Sequence, residues 1–260
     1  MKRLKIAITG SHGFIGSHLK KRLREQGHNI AEWDLRIDKP IEKFRLENYD
    51  AIFHLAAWAD VRASIKDPAR YWENNVVNTT RIQKMCKVIN IPLFYASSSC
   101  IHNWWLSPYG TSKKVNEETA QEGQVGLRFT TVYGEGARES MLIGKLIRGE
   151  AKYLTTHIRD FIHVDDVVDA MLLIMDKGLN LHHYPDVALK PYYDIGTGRS
   201  VVVKDLAKVA GIEGLVPITD GDDCEAKDNT ADNSDLLELG WKPKMKVEEY
   251  ISLHLQKDVV

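Results

Sequence analysis

The chain has 260 residues, with 35 Lys and Arg against 36 Asp and Glu and a net charge of −1. That length holds one large core or two intimate ones, and the interspersed charge gives neither the basic stripe of a nucleic-acid binder nor a basic amphipathic membrane arm. Three widely spaced cysteines, Cys86, Cys100 and Cys224, suit a reducing compartment and make no Cys-x-x-Cys metal framework, so a soluble cytoplasmic protein without a metal is expected.

MKRLKIAITG enters a strand pattern too directly for a signal peptide, and no apolar run is long enough to span a bilayer. LKIAITG, NIAEWD, AIFHLAA, LFYASS and GLRFTTVYG read as strands buried on both faces. GSHLKKRLREQG and DPARYWENNVVNTTRIQKMCKVIN read as amphipathic helices between them. Alternating β and α elements predict an α/β fold, a doubly wound parallel sheet of the Rossmann type. Only a short segment separates Asp34 from Asp50, which leaves little room for a further strand and helix there; Ile37 or Asp38 would then take the adenine contact. Past residue 134 the rhythm loosens, with a helix near 139–149, a strand end and helix in FIHVDDVVDAMLLIMD, a loop over 180–191 and a strand and turn in YYDIGTG. Asp165 and Asp166 read as caps of their helix, and His182-His183 as a solvated pair with no partner at metal spacing. The polar run DGDDCEAKDNTADNSD reads as a surface loop.

The first strand ends in TGSHGFIG, where Gly10, Gly13 and Gly16 lead into a helix and Phe14 and Ile15 between them join the candidate cofactor loop. Small residues let the backbone approach a pyrophosphate, and a helix N-terminus offers free N–H groups and a favourable dipole. Asp34 closes the second strand where an adenosine ribose would lie, and its charge opposes a 2′-phosphate, so NAD is favoured; Arg36, two residues on, pulls toward NADP. Tyr109 and Lys113 are four apart at the start of a helix and share a face. An ammonium and a cofactor pyridinium beside the phenol would favour phenolate, and a serine at the preceding strand end would hold the substrate hydroxyl against it.

TGSHGFIG, HLAA, the serine run, SPYGTSK, RFTTVYG, RDFIHVDD, YYDIGTG and LGWKP together resemble the ordered signature of extended short-chain dehydrogenases/reductases, the nucleotide-sugar epimerase and dehydratase superfamily. The resemblance implies a dinucleotide-binding part over 1–128, with 158–177 and 191–198 contributing, and a smaller substrate-binding region over 129–157 and 199–260. It implies Ser98 and Tyr109 about the reacting hydroxyl, Lys113 on the nicotinamide ribose, Ser97 as buried support, and Leu55, Ala56, Ala57 and Asn75 near the cofactor. Ser99 and Cys100 stand where similar dehydratases and decarboxylases carry acids, which argues against both reactions. RFTTVYGEGARESM and ADVRASIKDPARYWENNV are similar to UDP-glucuronate 4-epimerases, which implies Thr131 and Arg138 on a sugar carboxylate and Ser99 at the substrate. YASSSCIH resembles GDP-mannose 3,5-epimerase and GDP-fucose synthase, in which a cysteine at the place of Cys100 moves protons beside a ketone; here Glu135 and Met141 stand where its partner lysine or histidine would be. Arg159 is left as the diphosphate cation, since Ile218 and Thr219 occupy the place of a second arginine. A 4-epimerase that recycles bound NAD leads, ahead of a GDP-sugar epimerase, a net NADPH-dependent 4-keto-sugar reductase and a non-catalytic dinucleotide sensor. The resemblance also implies a homodimer, although the shortened catalytic helix alters the four-helix bundle such dimers use. Only ten residues separate Ser98 from Tyr109; Trp104 and Trp105, within them, would either stack on a base or sugar or cap the edge of the cleft.

Overall fold

A computed structural model describes residues 3–179 and 189–255. Its centre is a six-stranded, all-parallel sheet of β1 (Lys5–Thr9), β2 (Asn29–Trp33), β3 (Ala51–His54), β4 (Leu93–Ser98), β5 (Gln124–Phe129) and, after four shorter strands, β10 (Tyr192–Ile195). The strand order is β10-β5-β4-β3-β1-β2. The chain winds outward from β1 to β2, then reverses through β3, so the crevice between β1 and β3 lies at a topological switch point.

Side chains alternate across the sheet with the strand period of two. Ile6, Ile8, Phe53, Phe94 and Leu127 point to one face and meet α1 (Phe14–Glu25) through Leu19 and Leu23. The long helix Val164–Leu179 covers the same face through Val167, Val168, Met171 and Ile174. Ala7, Ile52, Leu93 and Tyr95 point the other way, onto Ile82 and Cys86 of the helix Thr79–Val88. Burial raises the Cys86 thiol to about 12, so it is a core residue. Both faces are covered, as continuous apolar strands require; β2 departs from this, being an edge strand whose residues are half-buried or exposed.

Between Asp34 and Asp50 the chain makes two single 3₁₀ turns, Leu35–Ile37 and Ile41–Lys43, and no strand forms beyond β2. The helical stretch after β3 has more parts than its periodicity predicts. It comprises α2 (Val61–Lys66), α3 (Pro68–Tyr71), a π-helical segment Trp72–Asn78 and α4 (Thr79–Val88). Asp60 and Asp67 accept from backbone N–H groups at the starts of α2 and α3, and Pro68 sits at the first position of α3. The catalytic-helix candidate, α5 (Pro108–Glu118), opens on the same pairing of cap and proline: Ser107 accepts from Gly110 N at 3.0 Å.

GLRFTTVYG is two strands: β5 stops at Phe129, and β6 (Thr131–Tyr133) leaves the main sheet to pair with β9 (Phe161–His163). In the same region lie α6 (Leu142–Ile147), shorter than the expected 139–149, and the two-stranded pairs β7 (Leu154–Thr155) with β12 (Ile218–Thr219) and β8 (Ile158–Arg159) with β11 (Val201–Val202). Their apolar residues gather into a second cluster around Tyr133, Phe161, Leu206 and Ile251. Asp166 is not an exposed cap; it is buried and accepts from Lys244 N and Met245 N, both at 3.1 Å, which fastens LGWKPKM to the helix. His182 and His183 lie outside the described residues.

Candidate active site

The carboxyl ends of the parallel strands hold the residues singled out by their chemistry. Gly10 follows β1, Asp34 follows β2, Leu55 to Ala57 follow β3, Ser98 ends β4 and Thr131 lies just past β5. This is the edge at which open α/β sheets bind ligands.

The glycine loop fits a dinucleotide. Gly10 has φ +71°, and a Cβ on it would sit 2.8 Å from Ala56 N; one on Gly16 would sit 2.1 Å from Gly10 O. The loop is therefore pressed against the Leu55–Ala57 turn across the switch point. Gly13 caps α1 without any side-chain bond, which leaves the first N–H groups of the helix free for an anion. Phe14 and Ile15 make its first turn and pack against the core. The Asp34 carboxylate accepts from His12 N and Arg36 N, both at 2.9 Å, which sets it beside the loop. The Arg36 guanidinium turns onto the His12 carbonyl.

Asn75 lies in the π-helical segment and is wholly buried. Its amide bonds both the N–H and the carbonyl of Trp58 at 2.9 Å, and also donates to Ser112 Oγ at 3.2 Å. Asn74 supplies the remaining acceptor bond at 3.0 Å. These contacts use the whole amide within the protein, so Asn75 fastens the turn after β3 to α5.

Tyr109, Ser98, Lys113 and Cys100 come together. The Ser98 hydroxyl lies beside the Tyr109 phenol and the Cys100 thiol, and its oxygen accepts from Cys100 N at 3.2 Å. Lys113 is 2 % exposed; its ammonium donates to Ala96 O at 2.8 Å and lies 5.8 Å from the Tyr109 ring centroid. Burial lowers Lys113 to about 7. Burial also pushes the Tyr109 phenol up, against the Ser98 bond and the charge of Arg138. The expected phenolate is thus not favoured by the protein alone, because burial of the phenol outweighs the Ser98 and Arg138 contributions. Burial raises the Cys100 thiol as well, opposed by Ser98 and Arg159.

Tyr109 is held from several sides. Its N–H donates to Ser64 Oγ of α2 at 3.2 Å, and the Tyr71 ring meets its own edge-on at 6.3 Å. A Cβ on Gly110 would lie 2.9 Å from Trp104 O, so the 3₁₀ loop Ser99–Leu106 rests directly on the start of α5. Trp105 lies on the outer side of that loop with Ile65, Pro68 and Trp72, along an apolar groove. Ser97 donates to Glu117 at 2.6 Å, and Glu117 takes a bidentate pair from Arg128 at 2.8 and 2.7 Å. Ser97 is buried support, as expected.

On the far side, Thr131 accepts from the Asn229 amide at 3.1 Å, and the same nitrogen is 3.5 Å from Ser99 Oγ. Asn229 Oδ1 accepts from Asp160 N at 2.9 Å. Asp160 is fully buried and accepts from Thr197, Gly198 and Ala231. The acidic run read as a surface loop thus reaches the cleft through Asn229, and only a fold could reveal this, since a lone polar residue in a polar run carries no periodic signal. Arg138 is about half exposed; it donates to Ala59 O at 3.3 Å and stands 3.9 Å from Asp60. Arg159 is bound to Glu225 at 3.0 Å, to His157 Nδ1 at 2.9 Å and to the Ala226 carbonyl at 2.8 Å. Arg62, missed in the sequence, pairs with Glu225 at 3.0 Å and with Asp222.

Residues 6–187 match the model of the NAD dependent epimerase/dehydratase family. The chain belongs to that family. Its cofactor is NAD, in accord with the glycine loop and Asp34. Protein CapI of Staphylococcus aureus is 29 % identical over 96 % of both chains. A UDP-glucose 4-epimerase of Pisum sativum is 28 % identical over 94 % of this chain and 93 % of its own. The solved structure of MoeE5 in complex with UDP-glucuronic acid and NAD is 28 % identical, with a TM-score of 0.80 over 98 % of this chain and all of that one. Among the described residues, no helix is long and apolar enough to cross a membrane and no His, Cys, Asp and Glu cluster could hold a metal ion.

Proposed function

We propose that this protein is a nucleotide-sugar 4-epimerase acting on a UDP-uronic acid. The observation that carries the reading is the gathering of Ser98 and Tyr109 beside the buried Lys113, with Thr131 held by Asn229 next to Ser99 and Arg138 held at the turn before α2. Gly10, Gly13, Gly16 and the free N–H groups at Phe14 and Ile15 would hold the dinucleotide phosphates, Asp34 its adenosine ribose, and Lys113 its nicotinamide ribose. Leu55, Ala56 and Ala57 would line the bound dinucleotide, with Asn75 fixing their turn. NAD, when bound, supplies a hydride acceptor and donor. A cofactor cation bound beside Tyr109 would favour its phenolate, which burial opposes. Ser98 holds the sugar hydroxyl against Tyr109, and Tyr109 removes its proton. With a hydride taken from C4 and given back to the opposite face of the turned 4-keto sugar, return of that proton by Tyr109 would yield the 4-epimer with no net oxidation. Ser99 and Thr131 line the sugar, and Arg138, half exposed and lightly paired, is free to grip a carboxylate in two-pronged fashion. MoeE5, similar over nearly the whole chain and solved with UDP-glucuronic acid, supports this substrate class.

A second reading has one observation in its favour: the Cys100 thiol lies beside the Ser98 hydroxyl, where it would be near a carbon reacting there. A cysteine acid/base would exchange the proton next to the ketone, as a GDP-sugar epimerase requires. Proton NMR of UDP-glucuronate with the protein and NAD in D₂O separates the two. The expected outcome is a galacturonate anomeric signal, no deuterium in the sugar ring and no accumulation of NADH, with Tyr109→Phe slower by about 10²–10⁴-fold. Ring deuteration would favour Cys100. An unchanged spectrum would retire this substrate, and steady NADH consumption on a keto sugar would mark a reductase.

A further inference from the structure

We infer that the segment Asp220–Glu225 is an intramolecular latch: the Glu225 carboxylate occupies an anion seat between Arg62 and Arg159, and a substrate diphosphate must displace it. This rests on the nucleotide-sugar reading above. One Glu225 oxygen is 3.0 Å from Arg62 Nε and the other 3.0 Å from Arg159 Nη2. A carboxylate shared by two guanidiniums has the geometry of a bound anion. The two arginines come from different walls of the cleft, Arg62 from α2 and Arg159 from β8, and Cys100 feels the charge of both Arg159 and Glu225. Asp222 adds a second carboxylate on Arg62. With Asp220 and Asp223, the segment sets four carboxylates against these two cations. His157, held below its ordinary range by burial, adds no compensating charge near neutral pH. A diphosphate arriving at this arrangement meets net repulsion unless the segment moves.

The backbone permits that movement. Thr156 N bonds Thr219 O at 3.0 Å on one side, and Ile158 N bonds Lys227 O at 2.8 Å on the other. Between these pins the segment has its own turn, Glu225 N to Asp222 O at 3.0 Å, and a long bond from Gly221 N to Thr219 Oγ1 at 3.4 Å, with the Asp220 carbonyl as the acceptor facing the His157 ring. Gly221, with φ +80°, packs against the His157 ring and is the natural hinge. Asn229 lies beyond the second pin, so opening the latch leaves its amide on Thr131 and Ser99.

The test uses protein saturated with NAD, titrated calorimetrically with inorganic pyrophosphate and separately with UDP. Hydrogen exchange of peptides over 219–226 is followed in parallel. Pyrophosphate is expected to bind Glu225→Gln and Asp222→Asn severalfold more tightly than wild type, and to speed exchange of the segment in wild type. Equal or weaker binding to both variants would overturn the latch, since Glu225 would then be orienting the arginines for the anion. Pyrophosphate behaving as expected while UDP binds none of the proteins would keep the latch and retire the nucleotide carrier.

Discussion

At the scale of single residues, the cost of the site is concentrated in Lys113. A buried ammonium with one carbonyl partner is driven to about 7, whereas the unfolded chain keeps it near 10.5. Below the lower value both states are protonated and the penalty is constant. Between the two, the unfolded chain holds the extra proton, so this group makes stability rise with pH over that window. The thermal midpoint of the NAD-free protein should therefore climb from pH 7 to pH 10 relative to that of Lys113→Met. Parallel curves for the two proteins would show that Lys113 is not buried as described. His54 is a contrasting case: burial lowers it to about 3, but both ring nitrogens are satisfied, by Thr9 at 2.7 Å and Thr79 at 2.9 Å. It stays neutral throughout this range and serves as a hydrogen-bonded strut behind the glycine loop.

At the scale of elements, α5 is aimed by polar ties more than by apolar packing. Glu117 joins Ser97 at the end of β4 to Arg128 on β5, and Arg128 also approaches Asp194 on β10 at 3.6 Å and stacks on Tyr192. Removing one member strands the others. Glu117→Ala should cost about 3–5 kcal/mol in urea unfolding by leaving Arg128 buried without its partner; a loss below about 1 kcal/mol would mean the pair is solvated. The first five strands of the central sheet and α1 were readable from the sequence because their signals are local: continuous apolar runs and a glycine turn. The π-helical segment was not, since Asn75 reads as any polar helix position until its partner Trp58, seventeen residues away, is in place. π-Helical turns recur at functional sites, and this one brings a buried amide to the turn facing the glycine loop.

At the scale of the whole molecule, the glycine loop was legible in the sequence and the places of Arg62, Glu225 and Asn229 were not, for a physical reason. A phosphate-binding loop is built from consecutive residues, so TGSHGFIG and Asp34 announced it. The opposite wall is assembled from Thr131, Arg159, Glu225 and Asn229, which are far apart in sequence and meet only because β8 bridges to Asp228. NAD bound to the folded chain and not the unfolded one should raise stability by about 2.7 kcal/mol at a hundredfold excess over its Kd. That corresponds to a thermal shift of roughly 5–10 °C for a chain of this size. Asp34→Ala should shrink the shift, and an equal shift would place the ribose elsewhere.

The loop between Ser98 and Tyr109 is wound into a 3₁₀ coil seated on Gly110. A longer insertion at this place would have to be immobilised around a substrate, at about 1–2 kcal/mol of backbone entropy per residue ordered. Here that ordering is complete before the substrate arrives. The roof over the sugar is correspondingly small, and its outer edge at Trp105 stays in contact with water. On the reading proposed above, so small a canopy would leave room for the far end of a bulkier sugar to project into solvent.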